Sequence, residues 1–370
     1  MEDKGDYKYD NKREGDHNMK KILLHFIQYD IGGPNTVLDC IENSYLSTKY
    51  EFVRICQQGG CGYNPFKAIR FVRHYTRLIN AQHADCIYIS GLQYVGFLMT
   101  LAARLSNVKR IVLSVHGSDW DVPERSLRRA ILKYIIEPIE VHMADKVFTV
   151  CLSEQHIVKA LRCCRKGANC GVIYNTFPDI DEKSIARGKL HNMLNIQPDK
   201  VIVSTVGRVT ERKGHAYIID AIRKCNDDSL VFVIIGDGDY LDQYRRQCAD
   251  AIDKSRLHLL GNRDDVYELL RDTDIFLFAT LNENHSMALL EAVNMRCAAI
   301  VTNVGGNTET IRHGISGIVI PPADSDAILE GLQRLKDPVL RQQYTDAAYE
   351  SSKKSFSVDK TLGKLDKLFA

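Results

Sequence analysis

From Lys20 the chain reads K-K-I-L-L-H-F, a short apolar run that leads through Gly32-Gly33 into T-V-L-D-C-I-E-N-S-Y-L, where apolar positions recur at helical spacing. The alternation continues. Runs rich in Val and Ile fall at 52–56, 86–90, 110–115, 146–151 and 171–174, and helical patterns fill 65–80, 93–106, 125–143 and 153–165 between them. Short apolar strands separated by helices predict a parallel, doubly wound sheet covered on both faces.

Asn175-Thr176-Phe177-Pro178-Asp179 and the polar stretch to Lys200 break this rhythm as a linker would. It then restarts. Strands are expected at 201–207, 230–236, R-L-H-L-L-G, 274–280, 298–303 and 317–320, with helices near 214–225, 239–252 and 264–271 and others starting at Ser286 and Asp324. There is no fixed-period repeat, only two similar Rossmann-like halves, and two such sheets facing each other make a cleft beyond the carboxyl ends of their strands. The expected organisation is a disordered or expression leader at 1–18 with Met19 as native start, one unit at 19–178, a second at 179–355 and a final segment at 356–370.

Composition adds little to this but excludes several classes. At 370 residues the chain exceeds one hydrophobic core, and 45% hydrophobic with 26% charged residues is ordinary for a globular protein. The net charge of +2 argues against a protein that coats nucleic acid. Eleven cysteines form no C-x-x-C and no zinc spacing, the opening residues are polar rather than signal-like, and no apolar run reaches membrane-spanning length. The expectation is a reducing, cytoplasmic setting with free thiols.

Candidate chemistry therefore belongs in strand-to-helix loops. Gly32-Gly33-Pro34-Asn35 follows the first strand and opens a helix, so its amides are placed to meet an anion, although the same residues also make an ordinary tight turn. Gly207 to Gly214 carries Arg208 and Lys213 just past a strand end, a planar fork and a point charge suited to a diphosphate. Gly236-Asp237-Gly238 is a weak phosphate-loop signal, and His116-Gly117-Ser118-Asp119 puts an imidazole at the top of the first sheet. In L-N-E-N-H-S-M-A-L-L-E-A, Ser286 is a suitable helix cap, so Glu283 lies in the loop ahead of the helix and Glu291 on the helix itself. The amides of His285, Ser286 and Met287 would face a phosphate, and the two carboxylates suit vicinal hydroxyls.

These residues carry a family resemblance. E-N-H-S-M-A-L-L-E resembles the E-x7-E motif of retaining glycosyltransferases with the two-Rossmann GT-B fold, family four (glycosyltransferase group 1). The likeness runs through nearly the whole chain from Met19, with Gly32-Gly33, His116, I-Y-N of the linker, Gly207-Arg208, Lys213-Gly214, I-I-G-D-G and the stretch A-A-I-V-T-N-V-G-G-N-T-E-T-I-R-H-G-I-S-G. It implies that Arg208 and Lys213 neutralise the nucleotide diphosphate, Glu291 holds the ribose, and Glu283 binds donor-sugar hydroxyls while the following amides touch the distal phosphate. His116 would lie at the reacting centre, Gly33 would approach the phosphate from the other unit, the base would rest near Gly261-Asn262-Arg263, and Gly236 and Leu290 would complete the donor site. The segment 356–370 would cross back to the first unit as a helix.

Where the family commonly has Gly-Phe-Gly or Gly-Phe-Pro after the first glutamate, this chain has Asn284-His285-Ser286, giving His285 a side chain in reach of sugar or phosphate; Met295-Arg296-Cys297-Ala298 replaces the usual G-x-P turn. The implied activity is transfer of a sugar from a nucleotide-diphosphate donor, UDP favoured, to a glycan or lipid-linked glycan in cell-surface polysaccharide or glycolipid synthesis. Two alternatives stay open, a nucleotide-sugar 2-epimerase of the same fold and a non-catalytic nucleotide-sugar binder. Five D-x-D triplets occur, at 119–121, 179–181, 237–239, 272–274 and 324–326, but no metal or cofactor is expected, basic residues taking that role. Two basic helical patterns, 65–78 with Lys67, Arg70, Arg73, His74 and Arg77, and 125–136 with Arg125, Arg128, Arg129 and Lys133, fit either a solvated face or peripheral contact with an anionic membrane.

Overall fold

The computed structural model describes residues 19–27, 33–57, 62–118 and 126–370, so the leader at 1–18 lies outside the described residues. The first unit runs β1 (Lys20–Ile27), α1 (Gly33–Glu42), β2 (Tyr50–Gln57), α2 (Pro65–Gln82), β3 (Cys86–Ser90), α3 (Gln93–Arg104), β4 (Arg110–Val115), α4 (Leu127–Ile131), α5 (Glu137–Met143), β5 (Lys146–Thr149), α6 (Leu152–Ile157) and β6 (Asn169–Val172), with a π-helical turn at Leu132–Ile136 joining α4 to α5. The second runs α7 (Lys189–Leu194), β7 (Val201–Val206), α8 (His215–Lys224), β8 (Leu230–Ile235), α9 (Leu241–Gln247), α10 (Ala249–Asp253), β9 (Leu257–Gly261), α11 (Val266–Arg271), β10 (Ile275–Phe278), α12 (Met287–Asn294), β11 (Ala298–Thr302), α13 (Asn307–Thr310), β12 (Ile318–Ile320) and α14 (Ser325–Arg334), followed by α15 (Pro338–Ser355) and α16 (Val358–Phe369).

Each sheet has six strands, in the orders β2-β1-β3-β4-β5-β6 and β12-β11-β10-β7-β8-β9, and the ladders are parallel. The inner strands are buried on both faces, which is why they read as unbroken apolar runs: β8 is buried at all six positions and β11 at all five. In the second sheet the order reverses between β7 and β10, and in the first between β1 and β3. Open parallel sheets bind ligands beyond the carboxyl ends of strands at such reversals. The loops after β7 and β10 carry Lys213 and Glu283.

Some elements depart from the sequence pattern. The helix expected over 153–165 stops after α6 because Val158 leaves helical geometry (φ −75°, ψ 90°), and the chain continues as a 3-10 turn, Lys159–Cys163. The helix expected over 239–252 divides at Cys248 into α9 and α10. Within the polar linker stretch, α7 forms where the distant Asp272 carboxylate accepts the amides of Gly188 (2.6 Å) and Leu190 (2.7 Å), a cap no local pattern announces.

The chain passes between the units twice. The first crossing is Asn175–Pro178; the second is at Phe356, after which α16 lies on the first unit. The crossings touch: the Phe177 amide donates to the Phe356 carbonyl at 2.7 Å, and the Tyr174 and Phe356 rings are 4.9 Å apart. α16 buries Leu362, Leu365, Leu368 and Phe369, one apolar stripe at helical spacing. Phe369 packs its edge on Tyr50 (5.7 Å) and Tyr88 (6.3 Å), while Asp366 accepts from the Tyr50 hydroxyl (2.7 Å) and Lys49 (2.6 Å).

Candidate active site

Glycines set how closely the second unit's loops approach one another. A Cβ on Gly236 (φ 138°) would stand 2.0 Å from the Gly207 carbonyl oxygen, so the turns after β7 and β8 can touch only without side chains there. Gly214 (φ 68°) sits where a Cβ would be 1.9 Å from the Ala279 carbonyl oxygen, and the Leu281 amide donates to the Arg212 carbonyl at 2.8 Å. That approach brings the loop after β7 onto the loop after β10. Its result is an ion pair: Lys213 Nζ lies 2.5 Å from Glu283 Oε2, the two side chains are 16% and 13% exposed, and the ammonium also stands over the Phe278 ring at 5.0 Å.

The helix after Glu283 starts as its sequence predicts. The Ser286 hydroxyl accepts the Leu289 amide at 3.3 Å and caps α12. The amides of His285, Ser286 and Met287 have no protein acceptor among the described residues, so the positive end of α12 carries three open donors. Across the cleft the first turn of α1 abuts the same helix end, with Gly33 placed so that a Cβ would be 3.8 Å from Met287 Cγ. Further along α12, burial pushes the Glu291 carboxyl up to about 7. Burial first, and then the nearby Glu291 charge, raises the Cys40 thiol of α1 to about 11 and lifts the Tyr267 hydroxyl of α11, so Glu291 lies where both units meet.

On the first unit His116 follows β4. Its Nε2 is 2.8 Å from Ser114 Oγ and 3.5 Å from the Tyr88 hydroxyl, and burial lowers its pKa to about 4, so the ring is neutral near pH 7. The His116 carbonyl accepts the Asn284 side-chain amide at 2.7 Å, a hydrogen bond across the cleft. A second trans-cleft contact comes from Glu309, whose carboxylate accepts the amides of Leu152 and Ser153, both at 2.9 Å, and the Tyr174 hydroxyl at 2.8 Å.

A family model described as glycosyl transferases group 1 matches residues 186–351, and one described as glycosyl transferase 4-like matches residues 39–151. Both halves of the chain thus identify it as a glycosyltransferase. This glycosyltransferase is 26% identical over 310 residues to the UDP-Gal:alpha-D-GlcNAc-diphosphoundecaprenol alpha-1,3-galactosyltransferase of Escherichia coli, covering 79% of this chain and 77% of that one. It is 24% identical over 294 residues to the N-acetyl-alpha-D-glucosaminyl L-malate synthase of Bacillus anthracis, covering 78% and 71%. The fold matches the crystal structure of Anabaena HepE in complex with UDP-glucose with a TM-score of 0.75 at 17% identity, over 94% of this chain and 99% of that one. The architecture is GT-B.

The glycosyltransferase thus gathers Lys213, Glu283, the α12 amides, Gly33 and His116 about one cleft, with Arg208 exposed in the same loop as Lys213. Gly32 and Asp119 lie outside the described residues. Two expectations need correction. The His285 imidazole is not presented to a ligand: it is buried against Tyr174 and Phe356 (centroids 5.1 and 4.5 Å), its Nδ1 accepts the Asn175 amide at 3.1 Å, and burial lowers its pKa to about 3. Leu290 is fully buried with its amide bonded to the Ser286 carbonyl, so it builds the helix rather than the cleft wall. Asn262 is exposed beyond β9, and the Arg263 guanidinium forks onto Asp265 (2.8 and 2.6 Å).

Several D-x-D carboxylates serve as backbone caps. Asp181 accepts from Lys183 (3.0 Å), Asp272 from Gly188 and Leu190, Asp274 from Ile202 (2.9 Å) and Asp324 from Asp326 and Ala327 (3.0 and 2.9 Å). Sequence reading passed over Asn284 and Glu309 as trans-cleft groups. Glu309 had a signal, since it ends the stretch G-G-N-T-E, but its partners lie more than 130 positions away.

Proposed function

We propose that this protein transfers a sugar, with retention and without a metal, from UDP-sugar to a lipid-linked glycan in cell-surface polysaccharide or glycolipid synthesis. The observation that carries the reading is the largely buried Lys213–Glu283 pair, in the loop that leads to three open amides of a helix N-terminus. Lys213, Arg208 and those amides meet the diphosphate. As the anomeric C–O bond to phosphate breaks, negative charge grows on the departing oxygen, and fixed cations and dipoles stabilise it without reorganising. The acceptor hydroxyl attacks the same face, and its proton passes to the departing phosphate oxygen. Glu283, already anchored by Lys213, orients sugar hydroxyls, and Glu291 accepts the ribose hydroxyls. Support for UDP and for a polyprenyl-diphosphate acceptor comes from the names of the relatives above. In the test, Glu291→Ala weakens UDP binding measured by calorimetry, while Glu283→Ala leaves UDP affinity near wild type and abolishes turnover of the UDP-sugar that best raises the melting temperature. Equal affinity and equal rate in both variants would sink this division of roles.

A lipid-linked acceptor calls for a membrane-facing surface, and we place it on the first unit. No helix among the described residues is long and apolar enough to span a membrane. Instead Phe66 (81% exposed) and Leu127 (79%) stand on α2 and α4 among Lys67, Arg70 and Arg128, and the Arg128 guanidinium 3.9 Å over the Tyr63 ring joins the starts of the two helices. Apolar anchors set in a basic surface suit an anionic bilayer. Wild type should co-sediment with phosphatidylglycerol vesicles at low salt and Phe66→Ser/Leu127→Ser should not; loss of nothing in the double variant would exclude this face.

A further inference from the structure

Three consecutive side chains of the loop between β10 and α12 are anchored in three different bodies. Glu283 pairs with Lys213 in the second unit, Asn284 donates to the His116 carbonyl of the first unit (2.7 Å), and His285 is held by the Asn175 amide of the first crossing (3.1 Å). The glycines opposite keep the loop in place. A Cβ on Gly305 would fall 1.6 Å from the Glu283 carbonyl oxygen and one on Gly306 2.3 Å from that of Asn284, whose oxygen accepts the Gly306 amide at 2.9 Å. Asn284 is therefore pressed forward across the cleft, 9% exposed, with little freedom to reach anything else.

The turn it meets is rigid. Ser118 Oγ donates to the buried Glu137 carboxylate at 2.8 Å, and the His116 ring is held from within by Ser114 at 2.8 Å. Gly117 (φ 153°) lets the chain turn directly after His116, leaving the His116 carbonyl open to the second unit. His116 is thus gripped at its ring by its own sheet and at its carbonyl by the donor loop. An asparagine suits this position because the acceptor is a carbonyl. Aspartate, of the same shape, has no N–H to give, and glycine reaches nothing.

We propose that Asn284 is a positioning residue, a latch that couples seating of the donor loop to the His116 turn and holds the two units closed around the reacting centre. Its neighbour Glu283 carries the donor contact and Asn284 carries the closure contact, so a loop displaced at one is displaced at the other. The catalytic consequence rests on the donor-site reading above, whereas closure is readable with no ligand at all.

The experiment compares full-length wild type, Asn284→Ala and Asn284→Asp by small-angle scattering and by hydrogen exchange of the 114–118 and 283–286 segments, first alone and then with UDP. One neutral hydrogen bond is worth roughly a 3- to 10-fold shift in an equilibrium. Both variants should show a larger radius of gyration and about that increase in exchange, with Asp at least as open as Ala, and the Ala variant should keep UDP affinity within about threefold while turnover of UDP-sugar falls by a similar 3- to 10-fold. Wild-type compactness and exchange in Asn284→Ala would overturn the proposal, and so would restoration by the isosteric Asn284→Asp, which would mean that shape and not donation matters. Opening on loss of Asn284 in a protein whose wild type neither binds UDP nor turns over UDP-sugars would uphold the latch and overturn the donor reading.

Discussion

Replacing Glu291 by glutamine reads the cleft through its protons. Burial raises that carboxyl from 4.5 to about 7, and at about 1.4 kcal/mol per tenfold change in proton affinity, keeping it charged in the folded protein costs roughly 3 kcal/mol. Below pH 4.5 both folded and unfolded chains hold the proton and nothing is lost. Between 4.5 and about 7 the unfolded chain has released it and the folded chain has not, so stability falls as pH rises; above that window both are ionised and the loss is complete. Glu291→Gln has the shape without the titration. In urea titrations the variant should gain on wild type by up to about 3 kcal/mol from about pH 4.5 to about pH 7.5. The difference between proteins is needed because His25, His116, His215 and His285 act in the opposite sense. Burial depresses the first three from 6.5 to about 4 and the last to about 3, so each takes up a proton first in the unfolded chain, and stability is lost as pH falls below 6.5. If ribose hydroxyls bind the ionised carboxylate, UDP binding near pH 6.5 releases part of a proton, and calorimetry in buffers of different ionisation enthalpy counts it. Parallel pH curves for the two proteins together with proton-neutral UDP binding would refute the reasoning.

The acid limb gives a second expectation: wild type should unfold progressively from about pH 6 downward, and substitution of the buried His285 by phenylalanine should flatten that limb by about one proton in the slope of stability against pH. An unchanged slope would show that His285 is not held neutral. Gly305→Ala, with a φ of 48° and a Cβ 1.6 Å from the Glu283 carbonyl oxygen, should lose at least ~2 kcal/mol in the same titrations and weaken UDP binding, because left-handed backbone alone costs an L-residue about 1–2 kcal/mol; wild-type stability would mean the loop has room. Phe369→Ala, which empties a site 2% exposed, should cost roughly 3–5 kcal/mol and leave the last helix open to proteolysis, and an unaltered digestion pattern would count against its docking.

The strands were legible because parallel sheets buried on both faces demand unbroken apolar runs, and β8 and β11 are such runs. The cap at Ser286, and the placing of Arg208, Lys213 and Glu283 in loops after strands with Glu291 on the following helix, were legible for the same local reasons. What could not be read were pairings between distant segments. Lys213 meets Glu283 across seventy positions only because Gly214 and Gly305 allow backbone contact, and the α7 turn depends on Asp272, 84 positions from Gly188. His285 looked like a cleft residue by its neighbours; tertiary contact with Tyr174 and Phe356 decides otherwise.

The paired crossings at Phe177 and Phe356 have a mechanical consequence. A body joined to another by one flexible strand can swing, slide and spin, whereas two strands bonded side by side define an axle. Relative travel of the halves is then guided by that axle, which the donor loop itself grips where His285 meets Asn175 and Phe356. Stiffening or loosening the axle would alter how fast substrates enter and products leave without touching a single group that handles them.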